Sequence, residues 1–208
     1  MTGPIAGAAP VGPTTLYLVR HGSHGLLGRT LTGRMPGVGL SEAGLAEAGR
    51  LAARFAAGGG VSAVVSSPLQ RAQETAGPIA AALGLGVLTE PGLDEIDFGA
   101  WSGVAFAALG GAGWDHWNRF RSMAPTPGGE TMLGAQARAV AAAGRLRRVH
   151  GAAAVVVVSH QDVLKALLAH WLGMPLDFMQ RLELAPGSCS TVRLWDDDVR
   201  VDGINVPA

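Results

Sequence analysis

Apolar runs and amphipathic segments alternate along this 208-residue chain from residue 14 onward. Short runs rich in β-branched residues predict strands, and the run at 153–158 is apolar throughout, as in a strand buried on both faces of a sheet. Apolar residues at helical spacing predict the helices between them. The predicted strands cover residues 14–19, 61–66, 86–89, 153–158, 188–195 and 199–204. The predicted helices cover residues 41–58, 67–83, 130–150 and 162–171, with a shorter helix after Pro175.

Strands that alternate with helices predict an α/β protein with a sheet covered on both faces. Residues 1–13 are mostly Gly, Pro and Ala and predict a flexible tail, so one domain is expected over residues 14–208. Within it, glycines and three tryptophans in residues 94–129 break the alternation and indicate an inserted, partly helical cap. Residues 22–39 hold six glycines and one proline and predict a long loop, which in a compact domain is usually functional or disordered.

Charge and composition narrow the classes of partner. Sixteen basic and sixteen acidic residues give a formal net charge of zero, so no long-range field favours nucleic acid or an anionic membrane. The single cysteine, Cys189, excludes an internal disulfide and is interpreted as a buried small hydrophobe. The N-terminus lacks a secretory pattern and no apolar run approaches the roughly twenty residues of a spanning helix, so a cytoplasmic location is expected. The oligomeric state stays open, with a homodimer among the alternatives.

Polar residues directly follow several of the predicted strands. Open α/β sheets bind ligands at the carboxyl ends of their strands, so these residues are expected at one edge of the sheet. The candidates are Arg20 and His21 after the first strand, Arg71 in the helical turn after the second, Asp94, Glu95 and Asp97 after the third, and His160 after the apolar strand.

These residue types together suit phosphoryl transfer. Arginines can bind phosphoryl oxygens through paired N–H groups, and helix N-termini add backbone donors. A neutral imidazole can attack phosphorus, and a nearby carboxylic acid can protonate the leaving alkoxide. The charge of arginine and histidine replaces that of a metal ion, so neither a metal nor another cofactor is expected. Taken singly, each residue is more typical of packing or of a solvated surface, and their joint placement carries the prediction.

The same residues lie in segments that resemble the histidine phosphatase superfamily, including its phosphoglycerate mutase-like branch and its small bacterial phosphatases. The similarity covers about residues 14–195, and five motifs in order are far more specific than one Arg-His-Gly tripeptide. The matching segments are residues 18–22, 66–76, 93–103, 127–131 and 158–160.

The resemblance implies a fold and a set of roles. The fold would be a three-layer α/β/α sandwich around a mixed, mostly parallel sheet. His21 would be the phosphorylated nucleophile, and Glu95 would be the proton donor. The phosphoryl group would be held by Arg20, Arg71 and His160, and no metal would be needed.

Three positions depart from the family pattern. His24 and Leu27 occupy positions where relatives commonly carry Thr or Ser and Asn. Gln161 occupies a position that is usually Gly, where a φ available only to glycine would be costly to keep. His24 is a candidate donor to substrate or phosphate, with an uninvolved loop histidine as the equal alternative, and the backbone N–H of Gln161 can still bind substrate.

The function favoured by these patterns is hydrolysis of a small phosphorylated metabolite. Mutase-type phosphoryl transfer is the alternative, and it is disfavoured because the 22–39 loop looks open and the dedicated mutases carry an extra insertion. A catalytically weak phospholigand-binding module is the alternative from another class. In the cap, Trp114 and Trp117 form either a lid wall or, as is favoured, a packing core. Arg119 and Arg121 either bind a second anionic group or are solvated.

Overall fold

The computed structural model describes residues 12–208, so the predicted flexible tail falls largely on residues outside the described part of the chain. Within the described residues the strands are β1 (Thr14–Arg20), β2 (Val61–Ser66), β3 (Val87–Thr89), β4 (Ala154–Ser159), β5 (Cys189–Leu194) and β6 (Val199–Val206). The α-helices are α1 (Glu42–Gly58), α2 (Gln70–Leu83), α3 (Gly111–Arg119), α4 (Met132–His150) and α5 (Gln161–Trp171). Short 3₁₀ turns cover Pro91–Leu93, Gly99–Trp101, Phe106–Ala108 and Leu176–Arg181.

The six strands form one mixed sheet in the order β3-β2-β4-β1-β5-β6. β3, β2, β4 and β1 are parallel to one another. β5 pairs antiparallel with β1, and β6 pairs antiparallel with β5 at the edge of the sheet. Alternate residues of the central strands point to opposite faces. Val156 packs with α1 and α2, while Val155 and Val157 pack with α4 and α5. The α/β class and the three-layer sandwich predicted above are therefore confirmed.

Two predicted helix starts are wrong by two residues. The N-cap of α2 is Leu69 rather than the predicted Ser67, because the Ser67 hydroxyl contacts His160 and Asp94 as well as the Leu69 backbone N–H. α4 begins at Met132 rather than at Glu130, because the Thr131 hydroxyl caps the helix by accepting from the N–H of Gly134.

The cap, residues 94–129, is built on a tryptophan cluster. Trp101, Trp114 and Trp117 lie with their ring centroids 5.2–5.9 Å apart, and Trp117 is fully buried. Phe98 contacts Trp117 edge to face at 5.5 Å. The favoured interpretation of the tryptophans as cap packing is confirmed, although two of them also reach the cavity described below.

Close backbone packing fixes the chain just after β1. A Cβ on Gly22 would lie 2.7 Å from the carbonyl oxygen of Gly44 in the first turn of α1. The Ser23 carbonyl accepts hydrogen bonds from both the backbone N–H and the hydroxyl of Ser41, the N-cap of α1. Glycine at position 22 thus lets α1 approach the end of β1 and hold it in place.

Candidate active site

His21 lies at the carboxyl end of β1, and its ring is held in one tautomer. Its Nδ1 lies 2.8 Å from the carbonyl oxygen of Gly22. Because a carbonyl oxygen can only accept, Nδ1 carries the hydrogen and Nε2 keeps a lone pair. The pKa of His21 is well below its usual value, first because the ring is buried and then because Arg71 is close. A neutral imidazole with an unprotonated Nε2 is the form that can act as a nucleophile.

Arg71, in the first turn of α2, points its guanidinium at this nitrogen. Its Nε lies 3.2 Å from Nε2 of His21, and its Nη2 donates to the carbonyl oxygen of Gly33 at 2.7 Å. The side chain is almost completely buried, yet its Nη1 has no hydrogen-bond partner within residues 12–208. The guanidinium therefore keeps a buried donor free beside the nucleophile.

Arg20 supplies a second buried cation. Its Nη1 donates to the carbonyl oxygen of Leu184 at 2.6 Å, while its Nε lacks a hydrogen-bond partner among the described residues. Neither Arg20 nor Arg71 lies within ion-pair distance of a described carboxylate. Two buried guanidinium groups without a counter-ion are costly unless an anion binds them, so they mark an anion site.

His160, at the end of β4, completes the group. Its ring centroid lies 5.1 Å from that of His21, and its Nε2 lies 2.7 Å from the hydroxyl of Ser67. Burial and then the charge of Arg71 lower the pKa of His160 well below the usual value. Its Nδ1 is buried without a partner in the described part of the chain. The structure therefore brings together the four residues that the sequence placed at the ends of β1, β2 and β4.

Glu95 is the candidate acid because it is buried, whereas the alternative acids Asp94 and Asp97 accept hydrogen bonds from neighbouring residues. Only 8% of Glu95 is exposed, and burial raises its pKa to about 7, with the charge of Asp162 acting in the same direction. Asp94 accepts from Ser67 and from the Glu95 backbone, and Asp97 accepts from the N–H of Gly99. A carboxyl group with a pKa near 7 can both donate and accept a proton at neutral pH.

A network of arginines holds the backbone that carries Glu95, and the sequence had not indicated it. The carbonyl oxygen of Glu95 accepts from Arg34 Nε at 2.7 Å and from Arg138 Nη2 at 3.0 Å. Arg138 also donates to the carbonyl oxygen of Asp94 at 2.6 Å. Both arginines are fixed by Glu130, at 2.9 Å from Arg34 and 2.8 Å from Arg138. Arg138 is therefore a positioning residue for Glu95.

The three departures from the family pattern all line the same cavity. His24 is buried with its ring 5.6 Å from that of His21, and burial lowers its pKa to about 4, so the ring is neutral at pH 7 and can donate one N–H. Leu27 is partly exposed at the cavity wall. Gln161 starts α5 with His160 as its N-cap and does not have a positive φ, so the expected cost of replacing glycine there is absent.

The cap closes the cavity from the other side. The cavity has a volume of about 630 Å³ and is lined by Arg20, His21, Arg71 and Glu95 together with cap residues such as Trp114 and Trp117. Arg121 also lines it, whereas Arg119 is exposed and does not. The guanidinium of Arg121 lies 3.0 Å from Asp162 and 3.9 Å from the Trp117 ring, so Arg121 is neither solvated nor a free cation.

Other features bear on what the site can hold. Cys189 is buried, and burial raises its pKa to about 11, as expected for a packing residue. In residues 12–208, no group of three or more His, Cys, Asp or Glu side chains has a metal-binding arrangement. Over the same residues, no helix is long and apolar enough to cross a membrane.

Comparison with known proteins gives one family. Residues 16–207 match the model of the histidine phosphatase superfamily (branch 1). The chain is 37% identical over 188 residues to the bifunctional protein Rv2228c of Mycobacterium tuberculosis, covering 89% of this chain and 51% of that protein. The chain thus spans about half the length of the first curated relatives that it matches. It is also 31% identical to "Probable phosphoglycerate mutase GpmB" of Yersinia pestis, covering 85% of this chain and 83% of the relative.

The fold agrees with solved phosphatases. The mycobacterial glucosyl-3-phosphoglycerate phosphatase Rv2419c superimposes with a TM-score of 0.81 at 26% identity, covering 93% of this chain and 99% of the other. The resemblance inferred from the five sequence motifs is therefore confirmed at the level of the family and the fold.

Proposed function

This chain belongs to the histidine phosphatase superfamily, branch 1, and on that basis we propose that it hydrolyses small phosphate monoesters through a phosphohistidine at His21. The observation that carries the proposal is the pairing of an unprotonated Nε2 on His21 with the buried guanidinium groups of Arg20 and Arg71, which have no ion-pair partner among the described residues. Phosphatases among its structural neighbours support the reaction class.

In the first step, Nε2 of His21 attacks phosphorus and the bond between phosphorus and the ester oxygen breaks. The Arg71 Nε–H, which contacts Nε2 at 3.2 Å before substrate binds, turns to a phosphoryl oxygen as the nitrogen forms its new bond. Protonated Glu95 gives its proton to the departing alkoxide. The Nδ1–H of His21 stays on the Gly22 carbonyl, which stabilises the positive charge on the ring.

In the second step, water attacks the phosphohistidine. Glu95, now a carboxylate, accepts the water proton, the bond between phosphorus and Nε2 breaks, and inorganic phosphate leaves with His21 neutral again. Arg20 and Arg71 hold the phosphoryl oxygens through both steps with donors that lack a protein partner. His160 adds a hydrogen bond from Nδ1 once the adjacent phosphoryl anion favours the protonated ring. Since these groups supply the positive charge, the proposal includes independence from a metal ion.

The proposal also extends to partners and location. A small phosphorylated molecule is the ligand, and neither nucleic acid nor a membrane is a partner, which the zero formal net charge supports. The cytoplasm is the proposed location. A homodimer remains one of the open oligomeric states.

Product analysis tests hydrolysis against the two alternatives. We expect purified protein to release inorganic phosphate from phosphate monoesters without added metal and in the presence of a chelator. The relative named as a probable phosphoglycerate mutase makes 3-phosphoglycerate with its bisphosphate the necessary comparison. Efficient interconversion of phosphoglycerates with little free phosphate would favour the mutase. Tight phosphate binding with no turnover of any ester would favour the binding module.

A further inference from the structure

The cap side of the cavity differs chemically from the sheet edge. Arg121 is the cap cation that lines the cavity, and its guanidinium is already occupied by Asp162 Oδ2 at 3.0 Å and Asn118 Oδ1 at 2.9 Å. It also stacks on Trp117, and only 5% of the residue is exposed. The Nε of Arg121 lacks a partner among the described residues, but Asp162 neutralises the charge, so a second anionic group of a substrate meets no net positive charge there.

The remaining charges on this side are negative. Asp162 and Glu183 both line the cavity, and the Glu183 side chain is largely exposed, 3.8 Å from Lys165. Once a phosphoryl group occupies Arg20 and Arg71, and with Glu95 set apart as the proton donor, the charged groups left in the cavity lining are one cation, Arg121, and the two carboxylates of Asp162 and Glu183. A carboxylate or second phosphate on the alcohol would be repelled, as in sites that reject ligands by like charge.

The uncharged lining residues indicate what the site accepts. Leu27 from the 22–39 loop and Phe106 from the cap are both partly exposed in the cavity, and Trp114 adds an aromatic face. The amide groups of Asn118 and Gln180 lie in the same cavity. Each makes hydrogen bonds within the protein, and each keeps a second N–H and a second oxygen lone pair that can bind hydroxyl groups. An apolar wall with a few amides is typical of a small-molecule site that binds an uncharged ligand.

We propose that the cap side of this cavity selects phosphate monoesters of an uncharged alcohol with an apolar face and rejects those that carry a second anionic group. Asp162 is the specificity-determining residue, because its charge cancels that of Arg121, which would otherwise attract a second anionic group, and leaves the charge of Glu183 unopposed in the cavity lining. This specificity rests on the proposed phosphatase function.

A matched pair of substrates tests the proposal. Glycerol 3-phosphate and 3-phosphoglycerate differ only in a hydroxymethyl group against a carboxylate. We expect wild-type kcat/KM to favour glycerol 3-phosphate by about tenfold or more, the effect of one unit charge roughly 10 Å away at an effective dielectric constant of about 20. Asp162→Asn should release Arg121 and lower this ratio by about tenfold. Any effect of the substitution on Glu95 acts on both substrates and leaves the ratio unchanged.

Two further variants keep the test decisive. Glu183→Gln, at an exposed side chain, should lower the ratio in the same direction by a smaller factor even if Asp162→Asn fails to fold. Asp115→Asn removes the same charge from an exposed position of α3 outside the cavity and should leave the ratio unchanged. A wild-type preference for 3-phosphoglycerate, or a ratio that neither cavity variant moves, overturns the specificity. Absence of phosphate release even from nitrophenyl phosphate overturns the phosphatase function itself, and the specificity with it.

Discussion

At the sheet edge, Arg20 and Arg71 have no carboxylate within ion-pair distance among the described residues, whereas in the cap Arg121 lies 3.0 Å from Asp162. Both regions bury arginines around one cavity, and in both a guanidinium nitrogen lacks a hydrogen-bond partner among the described residues, yet only in the cap is the positive charge paired with a carboxylate. A buried guanidinium without a carboxylate partner can bind an incoming anion. A guanidinium that is already paired with a carboxylate contributes polar but nearly neutral surface to the cavity. Under the proposed function, phosphoryl binding belongs to the sheet edge, whereas the choice of alcohol belongs to the part of the cap around Arg121.

The largest expected effect comes from Glu95→Gln, at the start of the cap beside the sheet edge. We expect kcat for alkyl phosphates to fall by about 10²- to 10⁴-fold, because the alkoxide then leaves without a proton. Nitrophenyl phosphate should be affected far less, since its leaving group needs no protonation. With alkyl esters, wild-type activity should fall as the pH rises through about 7, where Glu95 loses its proton, and the variant should lack this decline. Equal losses on both esters would contradict the role of Glu95 as an acid.

Arg71→Lys should break the phosphate site while keeping its charge. We expect a loss of about 2–4 kcal/mol in transition-state stabilisation, because lysine cannot reach the nucleophile, the Gly33 carbonyl and a phosphoryl oxygen together. Steady-state kcat/KM with nitrophenyl phosphate measures this loss. Arg50→Lys, at an exposed position of α1, is the matched control. Full activity of Arg71→Lys would show that Arg71 does not bind the phosphoryl group.

Arg138→Lys should give a weaker version of the Glu95 result. Lysine cannot replace the fork that holds the Glu130 carboxylate and the carbonyl oxygens of Asp94 and Glu95. We expect roughly a tenfold loss on alkyl phosphates and little loss on nitrophenyl phosphate, within the range that general acid catalysis can contribute. A uniform loss on both esters, with a lowered melting temperature, would mean that Arg138 only stabilises the fold.

Trp114→Ala should weaken binding of the substrate without changing the chemical step. Trp114 stacks on Trp117 at 5.4 Å and lines the cavity, so its loss should raise KM for esters with an apolar alcohol by about tenfold, the scale of an aromatic contact. The ratio of kcat between alkyl and nitrophenyl esters should not change. Trp195→Ala, in the loop between β5 and β6, is the control. A large fall in kcat with unchanged KM would contradict the division between cap and sheet edge.

The sheet edge was predictable because its signals are local. Arg20, His21 and His160 follow apolar strands directly, and the topology of an open sheet then brings them together. Arg71 was predictable because it lies in the first turn of α2, the helix that follows β2 after a short connection. The same local reasoning placed the start of α2 wrongly, because the Ser67 hydroxyl is hydrogen-bonded to His160, a residue 93 positions away.

The cap could not be predicted in the same way, because its decisive contacts join distant segments. Arg121 and Asp162 are 41 residues apart, and Arg34 and Glu130 are 96 residues apart. No periodicity or spacing in the sequence indicates either pair. The sequence therefore left open whether Arg121 binds an anion or is solvated, and the structure shows a third state, a buried ion pair.

The most direct test of the central claim is to trap the phosphorylated enzyme. Wild-type protein is mixed with a phosphate monoester labelled at phosphorus and quenched in alkaline detergent, under which phosphohistidine persists. We predict an alkali-stable, acid-labile label on wild type and on His170→Ala, an exposed histidine of α5, and none on His21→Ala. Label retained on His21→Ala, or phosphate released by wild type without any trapped label, would contradict a phosphohistidine at His21.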